Sequence, residues 1–429
     1  MLEVAEKRTI HYSWFVLVAA FLIVFYSTGI CYDLMSIFIA AIEKNLILSK
    51  TATSAIMSII MFSGACSTIF AGIVYKKFSI KAMNCIYMLM MAAGFVCLSF
   101  AKSAVYCYAA ALLTGIGFGG GGMVPVSLLL TNWFDQKRGL AVGIASTSSG
   151  IAMIVLPVIV ERIIAIAGVM HALQITALTI LVLGIIVTII IQDVPQKKNC
   201  LPYGFTGDGN SSTNNNGKTE KHKLHFKTIF TEKRFWQISI TVFLAAFVTG
   251  PTISMLPSFL QSAGYSLKYS AYIMSLFGIS MIFGKIIYGA IIDKFGNRIA
   301  NIYGFVVVAV MVIFGMNIGI IAFAPIAVGL LMGMGISLTS VAPPIWVGDF
   351  FSKDIYTEVY PLVNFFSSMG ASAGLIAYGF LADVATFRTP YALSVLVLAA
   401  GFFVIQTAYR GVQKKQAPEM TDELKNSDR

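Results

Sequence analysis

The sequence predicts an all-α membrane protein with twelve transmembrane helices in two six-helix halves. Composition is the first reason. Of the 429 residues, 58% are hydrophobic and only 11% are charged, and the mean hydropathy is +0.83. A soluble domain carries about 25% charged residues. Length is the second reason, because a helix needs about 20 apolar residues to cross the hydrocarbon core of a bilayer.

Twelve apolar stretches satisfy that length. The first has no small-residue cleavage site at a signal-peptide distance, so we expect it to be retained as a helix. In chain order they cover residues 13–42, 52–75, 83–101, 105–131, 140–164, 169–192, 235–262, 269–292, 300–319, 321–347, 356–383 and 389–410.

The organisation along the chain follows from one long polar interruption. Residues 193–234 are rich in Asn and Ser around GDGNSSTNNNGKTEKHK, a composition typical of partly disordered loops. This predicts an N-terminal half over 1–192, a central loop over 193–234, a C-terminal half over 235–410 and a polar tail over 411–429. Parallel six-helix halves joined by a central loop are an architecture of transporters.

The net charge of +11 does not indicate nucleic-acid binding. With twelve spans, most of the 30 Lys and Arg fall on the side that carries both termini and the central loop. This is the bias of the positive-inside rule. It predicts a multi-pass protein of the cytoplasmic (plasma) membrane with both termini in the cytoplasm, and the bilayer is its main partner. We expect a monomer.

Cofactor chemistry has little support in the sequence. No CxxC pair accompanies the six cysteines, and the four histidines are not placed as intramembrane haem ligands. The glycine run at 115–122 is not followed by a GK[ST], since the GKT of the chain lies in the polar loop at 217–219, and the run lies inside a span where small residues allow close helix packing. We therefore predict no metal, no cofactor and no ATP-driven step.

Lys285 is the most informative single residue. It lies eight residues before Asp293 in the span 269–292, which places it ~12 Å from that end at helical rise. A charge near the middle of the bilayer costs at least ~2.5–3.5 kcal/mol and usually faces a polar cavity and a partner. We expect Lys285 to bind an anionic ligand. The alternative is a lysine that snorkels or pairs with another helix.

Asp33 is the second intramembrane charge, at similar depth in the first span. It could pair with Lys285 in the empty state and take up a proton when an anion displaces it. The other possibility is a solvated carboxylate in an outer vestibule. Weaker candidates for the cavity lining are polar or aromatic residues within apolar runs: Tyr32, Ser146, Asn364 and Trp346. Each could instead serve interhelical bonding or packing.

A loop motif occurs twice. Residues 289–298 read GAIIDKFGNR, and residues 72–81 read GIVYKKFSIK. The second-half copy resembles the G-x-x-x-D-[RK]-x-G-x-[RK] loop of the major facilitator superfamily. The resemblance implies that the glycines and charges of this copy gate the conformational change: Gly289, Asp293, Lys294, Gly296 and Arg298. The first-half copy has Lys76 where the family has Asp, which departs from the pattern.

A narrower resemblance lies in spans four and five. The segment from Trp133 to Ala145, WFDQKRGLAVGIA, is similar to the oxalate:formate antiporter family and, more loosely, to the monocarboxylate transporters. It adds Lys137 and Arg138 to the expected gating residues. Lys285 falls where these families place an arginine that pairs with the substrate carboxylate.

Two departures from these families bear on the substrate. Met369 stands where the oxalate transporters have a second lysine, so a single intramembrane cation suits a monocarboxylate better than a dicarboxylate. Met281 stands where the monocarboxylate transporters have an aspartate, so proton coupling through that pair is unsupported.

The sequence thus predicts a secondary active transporter, and not an enzyme, that moves a small organic monocarboxylate by alternating access. Coupling to a counter-anion or to a proton is left open. One alternative is an efflux pump of the same superfamily for a lipophilic or drug-like compound. Another is a transporter-like sensor that signals through the central loop.

Overall fold

The computed structural model describes residues 11–135, 138–198, 200–204, 226–351 and 353–427. Nearly all of these residues are helical, and eleven of their helical segments are long and apolar enough to cross a membrane. One of them, Ala141–Ile190, is 50 residues long, or ~75 Å at helical rise. It breaks at Gly168, where φ is 83° and ψ is 165°, so it crosses twice. The predicted number of twelve spans is therefore found in the described residues.

We number the spans α1 to α12 in chain order. Their bounds are α1 Tyr12–Leu46, α2 Lys50–Ala71, α3 Ile80–Ser99, α4 Ala104–Trp133, α5 and α6 the two parts of Ala141–Ile190 on either side of Gly168, α7 Lys233–Ser262, α8 Leu267–Phe295, α9 Asn297–Met316, α10 Ala324–Phe350, α11 Val359–Val384 and α12 Arg388–Tyr409. The helix of α12 continues to Ser427. Short helices at Pro195–Lys198 and Phe226–Thr231 flank the central loop.

Serine side chains begin several of these helices. Ser49, Ser79 and Ser266 accept hydrogen bonds from the backbone N–H groups of Ala52, Ala82 and Tyr269 at 3.1, 3.2 and 3.1 Å. Each bond satisfies one of the N–H groups that a helix leaves unpaired in its first turn. The caps explain why α2, α3 and α8 start where the apolar pattern begins.

The glycine run predicted to serve packing lies in close helix contacts. A Cβ on Gly119 would lie 1.9 Å from the carbonyl oxygen of Gly64 on α2. On the α3 side, a Cβ on Gly117 would lie 2.7 Å from the carbonyl oxygen of Tyr87. Only a residue without a side chain permits these approaches. The run thus holds α4 against α2 and α3.

The two ends of the bundle differ in their contacts. The end where α1 begins also carries the ends of α4 and α6, because Ser13 Oγ donates to the Trp133 carbonyl at 2.9 Å and Tyr12 Oη to the Ile190 carbonyl at 2.7 Å. We call it the terminus-bearing end, since α12 also finishes there. We call the other the opposite end.

The first residues of the central loop are fixed to the terminus-bearing end of the first half. Tyr203 exchanges backbone hydrogen bonds with Trp133 and Asp135 at 2.9 and 3.1 Å. Its ring lies 5.6 Å from Trp14 and 5.8 Å from Phe134. The remainder of the predicted disordered loop, at 199 and 205–225, lies outside the described residues.

Candidate functional site

Lys285 lies at the contact between α5 and α8, which belong to different halves. It helps to line a cavity of about 280 Å³. The other lining residues are Gly143, Ser146, Thr147 and Gly150 from α5 and Met281, Ile282 and Ile286 from α8. A cation that faces a cavity between the halves is well placed to attract an anion, because its field is weakly screened there.

Asp33 is buried, with 4% of its surface exposed. Its carboxylate interacts electrostatically with the ammonium group of Lys285. Between these two described side chains there is no ion pair within 4.0 Å. The opposite charges are therefore coupled without direct contact.

Local backbone geometry sets the position of Asp33. Residues Phe25–Asp33 form a π-helix inside α1, with α-helix on both sides. Such wide turns are rare and occur often at functional sites. Gly29, inside the π-helix, lies against α5, where its Cβ would be 2.4 Å from the Cβ of Ala152. The π-helix was not predicted, since the apolar pattern does not distinguish it from an α-helix.

Tyr32 joins three helices next to Asp33. Its ring stacks on Phe118 of α4, with the centroids 5.9 Å apart and the planes at 19°. Its hydroxyl lies near the side chain of Ser254 on α7, although Ser254 Oγ has no hydrogen-bond partner among the described residues. Tyr32 therefore extends from the first half toward the second at the level of Asp33.

The other three predicted lining residues do not all lie at the Lys285 cavity. Ser146 lines the Lys285 cavity, and its hydroxyl donates to the Val142 carbonyl at 2.8 Å. Asn364 is exposed on α11, and its carbonyl accepts from Ser368 Oγ at 3.3 Å. Trp346 is fully buried and its Nε1 donates to Asn301 Oδ1 at 2.8 Å. Of these three, the structure brings only Ser146 to Lys285.

The predicted gating residues of the second half lie at the terminus-bearing end. Asp293, Lys294 and Arg298 are exposed. None of them makes an ion pair within 4.0 Å with another described residue. Gly296 ends α8 with φ of 81°, a conformation that glycine adopts readily. Gly289 faces open space.

Two of the predicted gating residues belong to the first half. Lys137 and the side chain of Arg138 lie outside the described residues.

A polar network that the sequence did not indicate lies beside the loop motif at residues 289–298. Asp349 Oδ2 accepts hydrogen bonds from Tyr409 Oη at 2.6 Å and from Asn297 Nδ2. Asn301 Oδ1 accepts from Trp346 and, at 3.3 Å, from Tyr288 Oη. These bonds join α8, α9, α10 and α12. Asp349 belongs to a Gly-Asp-Phe-Phe segment, but the sequence alone does not name its donors.

The bundle is open between α5 and α8 toward the terminus-bearing end. A Cβ on Gly278 would lie 2.9 Å from the backbone of Met153 and Ile154, so the two helices touch there. A Cβ on Gly143 or Gly289 would have no atom within 4 Å. The space between α5 and α8 therefore forms a wedge that widens toward the terminus-bearing end, and the Lys285 cavity lies in its widening part.

Metal binding finds no support in the described part of the chain, where no group of three or more His, Cys, Asp and Glu side chains is arranged to hold an ion. Lys285 and Asp33 are the predicted intramembrane charges, and they interact electrostatically without an ion pair.

Comparison with known proteins decides the family. A model described as the Major Facilitator Superfamily matches residues 16–375. The chain belongs to the major facilitator superfamily. Members of this superfamily are membrane transporters and not enzymes, and the long apolar helices of this chain fit an integral multi-pass membrane protein. The resemblance stated from residues 289–298 is confirmed.

Solved structures of the superfamily share the fold. The nucleoside transporter NupG matches with a TM-score of 0.73 at 14% identity, over 93% of this chain and 99% of that chain. A bacterial homologue of the human lysosomal transporter Spinster, in an inward-facing and occupied conformation, matches with a TM-score of 0.69 at 14% identity, over 94% and 98% of the two chains. At such low identity these likenesses show the fold alone.

Curated relatives in the superfamily are distant. An MFS-type transporter of Gibberella moniliformis is 25% identical over 177 residues, or 41% of this chain and 38% of the relative. Monocarboxylate transporter 12 of Xenopus laevis is 24% identical over 314 residues, or 67% and 66%. The fujikurins efflux protein of Gibberella fujikuroi is 26% identical over 167 residues, or 38% and 31%. The chain spans less than two thirds of the length of each of these relatives.

Proposed function

We propose that this superfamily member is a secondary active transporter that moves a small organic monocarboxylate across the plasma membrane by alternating access. The observation that carries the proposal is the position of Lys285, a cation that lines a cavity between the halves and is electrostatically coupled to the buried Asp33. Similarity to monocarboxylate transporter 12 supports the same substrate class.

The substrate carboxylate would bind to the Lys285 ammonium group. A lysine offers a point charge and lacks the bidentate fork of arginine, so the contact would be to one carboxylate oxygen. The walls of the cavity beside Lys285 are mainly small and aliphatic. They favour a substrate with a short apolar body over a second carboxylate, because a second buried anion would have no cation of its own.

Charge neutralisation would drive the conformational change. An anion between α5 and α8 removes the cost of holding Lys285 uncompensated in the bundle, and so favours closure of the wedge. Asp33 would then lose its electrostatic partner and gain a proton, or exchange would return a second anion. The first case is proton symport and the second is antiport.

The positive-inside rule supports a cytoplasmic position for the terminus-bearing end. The open wedge between α5 and α8 would then face the cytoplasm, and the conformation seen here would be inward-facing. Asp293, Lys294 and Arg298 would line the cytoplasmic entrance, where their charges could form contacts when the wedge closes. Lys137 and Arg138 stay predicted gating residues on the strength of the family resemblance.

The test is uptake of radiolabelled mono- and dicarboxylates into proteoliposomes. We expect saturable monocarboxylate uptake by the wild type. Lys285→Gln should weaken the apparent affinity roughly 10- to 100-fold, since a hydrogen bond to a charged group contributes ~1.5–3 kcal/mol. Lys285→Arg should retain part of the activity. Lys268→Gln is the matched control, because Lys268 is exposed near the start of the same helix.

Two results would contradict the proposal. One is the absence of carboxylate uptake by monodisperse wild-type protein in sealed liposomes. The other is equal uptake by Lys285→Gln and Lys268→Gln. If carboxylate uptake is observed and depends on Lys285, counterflow with a preloaded carboxylate distinguishes antiport from proton symport.

Efflux of a lipophilic compound is the second candidate function. A cavity of about 720 Å³ lies between α2, α4 and α11, and its walls are almost entirely apolar. The fujikurins efflux protein is among the relatives. This reading predicts that a lipophilic compound competes for a probe bound near Phe62 or Met369, and that Lys285→Gln leaves its transport unchanged.

A further inference from the structure

The opposite end of the bundle is closed by a polar cluster that crosses between the halves. From the first half it contains Glu43 at the end of α1 and Lys50 and Thr51 at the start of α2. From the second half it contains Ser258 on α7 and Asp383 at the end of α11. We call these five residues the opposite-end latch.

The centre of the latch is an ion pair with a bridging serine. Lys50 Nζ lies 2.5 Å from Glu43 Oε1 and donates to Ser258 Oγ at 2.7 Å and to the Ser258 carbonyl at 3.2 Å. Ser258 Oγ donates in turn to Glu43 Oε2. The Lys50 and Glu43 side chains are only 15% and 18% exposed. This ion pair lies at the boundary of the halves.

Asp383 caps α2 from the other half. Its Oδ1 accepts from the Lys50 backbone N–H at 2.8 Å, and its Oδ2 accepts from the Thr51 backbone N–H and hydroxyl at 2.7 and 2.6 Å. The first N–H groups of a helix have no partner within the helix and attract negative charge. A carboxylate that binds them from another helix forms strong, charge-assisted bonds.

Close backbone packing reinforces the latch below its polar layer. A Cβ on Gly379 of α11 would lie 2.7 Å from the Lys50 carbonyl oxygen. Further along the same helices, Ser58 Oγ donates to the Ser372 carbonyl at 2.9 Å and Ser372 Oγ donates to the Ser58 carbonyl at 2.6 Å. The α2–α11 contact therefore closes this end while the α5–α8 contact widens at the terminus-bearing end.

We propose that the opposite-end latch is the gate of this face of the transporter, and that it must break before a substrate can enter or leave there. Its groups lie at helix ends, where water can replace each bond when the halves separate. The gate can therefore open without leaving polar groups unpaired in the hydrocarbon core. The proposal rests on alternating access but not on the identity of the substrate.

One continuous helix connects the latch to the central site at Asp33 and Lys285. The helix Met35–Leu46 starts two residues after Asp33 and carries Glu43 on its last turns. Ten residues separate Asp33 from Glu43, which is ~15 Å along a helix. A movement of Asp33 toward or away from Lys285 would shift Glu43 with it, because the helix between them moves as one body.

The experiment measures both ends of the bundle in the full chain without substrate. Spin labels at positions 44 and 384 report the opposite end, and labels at 135 and 299 report the terminus-bearing end; all four side chains are exposed. The background replaces the six native cysteines and must be monodisperse in nanodiscs. The variants are Asp383→Asn, Glu43→Gln and the milder Ser258→Ala. The control is Glu161→Gln, near the same end on α5.

With the latch unmodified, we expect pulsed EPR to show mainly a short distance between the labels at positions 44 and 384. Asp383→Asn and Glu43→Gln should raise the population with a long 44–384 distance roughly tenfold, by loss of a charge-assisted bond. The 135–299 distance should shorten in the same samples, and Glu161→Gln should change neither.

Unchanged distance distributions in folded Asp383→Asn, Glu43→Gln and Ser258→Ala would overturn the gate. A longer 44–384 distance without any change at 135–299 would also overturn it, because a gate requires the two ends to be coupled. Since no substrate is present, a failure of carboxylate uptake leaves this result intact, and a failed gate leaves the uptake assay intact.

Discussion

Single residues decide the chemistry that the interior can perform. Lys285 and Asp33 are charges that the bilayer would exclude unless they had a use or a partner. Their depth is evident from the sequence, because it follows from residue counts within apolar runs. Their electrostatic coupling is not evident from the sequence, because it depends on how α1 and α8 meet across the two halves.

Asp33→Asn tests the role of the acidic partner. If Asp33 takes up a proton during transport, the variant should lose the pH dependence of uptake and retain exchange of preloaded substrate. Asn keeps the size of the side chain and removes the charge, so folding should be least affected. The measurement is uptake and counterflow over roughly pH 5 to 8, the range around physiological pH. Uptake with an unchanged pH profile would remove Asp33 from coupling.

Whole helices show where pattern reasoning succeeds and where it stops. The length and apolar content of each run set the spans, and Ser49, Ser79 and Ser266 mark three helix starts. The break at Gly168 falls in the gap predicted between the spans 140–164 and 169–192. The π-helix at Phe25–Asp33 was beyond the pattern, because an extra residue in a turn changes the path of a helix without changing its hydropathy.

Gly119→Ala tests the helix packing that the glycine run provides. The added methyl group would meet the Gly64 carbonyl, and overpacking of this kind costs about 1–3 kcal/mol. We expect the melting temperature of the variant in detergent to be lower than that of the wild type by roughly several degrees, which is the shift that this free-energy cost implies. Gly143→Ala is the control, because its Cβ would meet no atom within 4 Å. Equal melting temperatures of the two variants would refute the packing role.

The whole molecule is organised by contacts between the halves. The sequence indicated six spans on each side of the central loop, and the family model and solved structures support that fold. The conformation is a separate property. In this structure the halves are joined by the latch at the opposite end, and Gly143 and Gly289 have no close contacts toward the terminus-bearing end.

Deletion of residues 205–217 distinguishes transport from signalling through the loop. The deletion leaves Tyr203 in its contacts with Trp14 and Phe134 and leaves the helix at Phe226–Thr231 in place. We expect uptake within about twofold of wild type, because loop length has a small effect on closure entropy. Tyr203→Ala is the comparison variant, since it releases the loop from the first half. Loss of all uptake on deletion alone would favour the sensor reading.

By itself, the sequence determined the membrane class and the number of crossings, and it predicted the two-half plan and the depth of Lys285 and Asp33. These properties depend on composition and on position along one helix, and the bilayer imposes them locally. Only the tertiary structure decided which polar residues meet. It brought Ser146 but not Asn364 or Trp346 to Lys285, joined Asp349 to Tyr409, and placed Asp383 on the first turn of α2. Such pairings join residues far apart in the chain, and their geometry depends on helix rotation and crossing, which hydropathy does not encode.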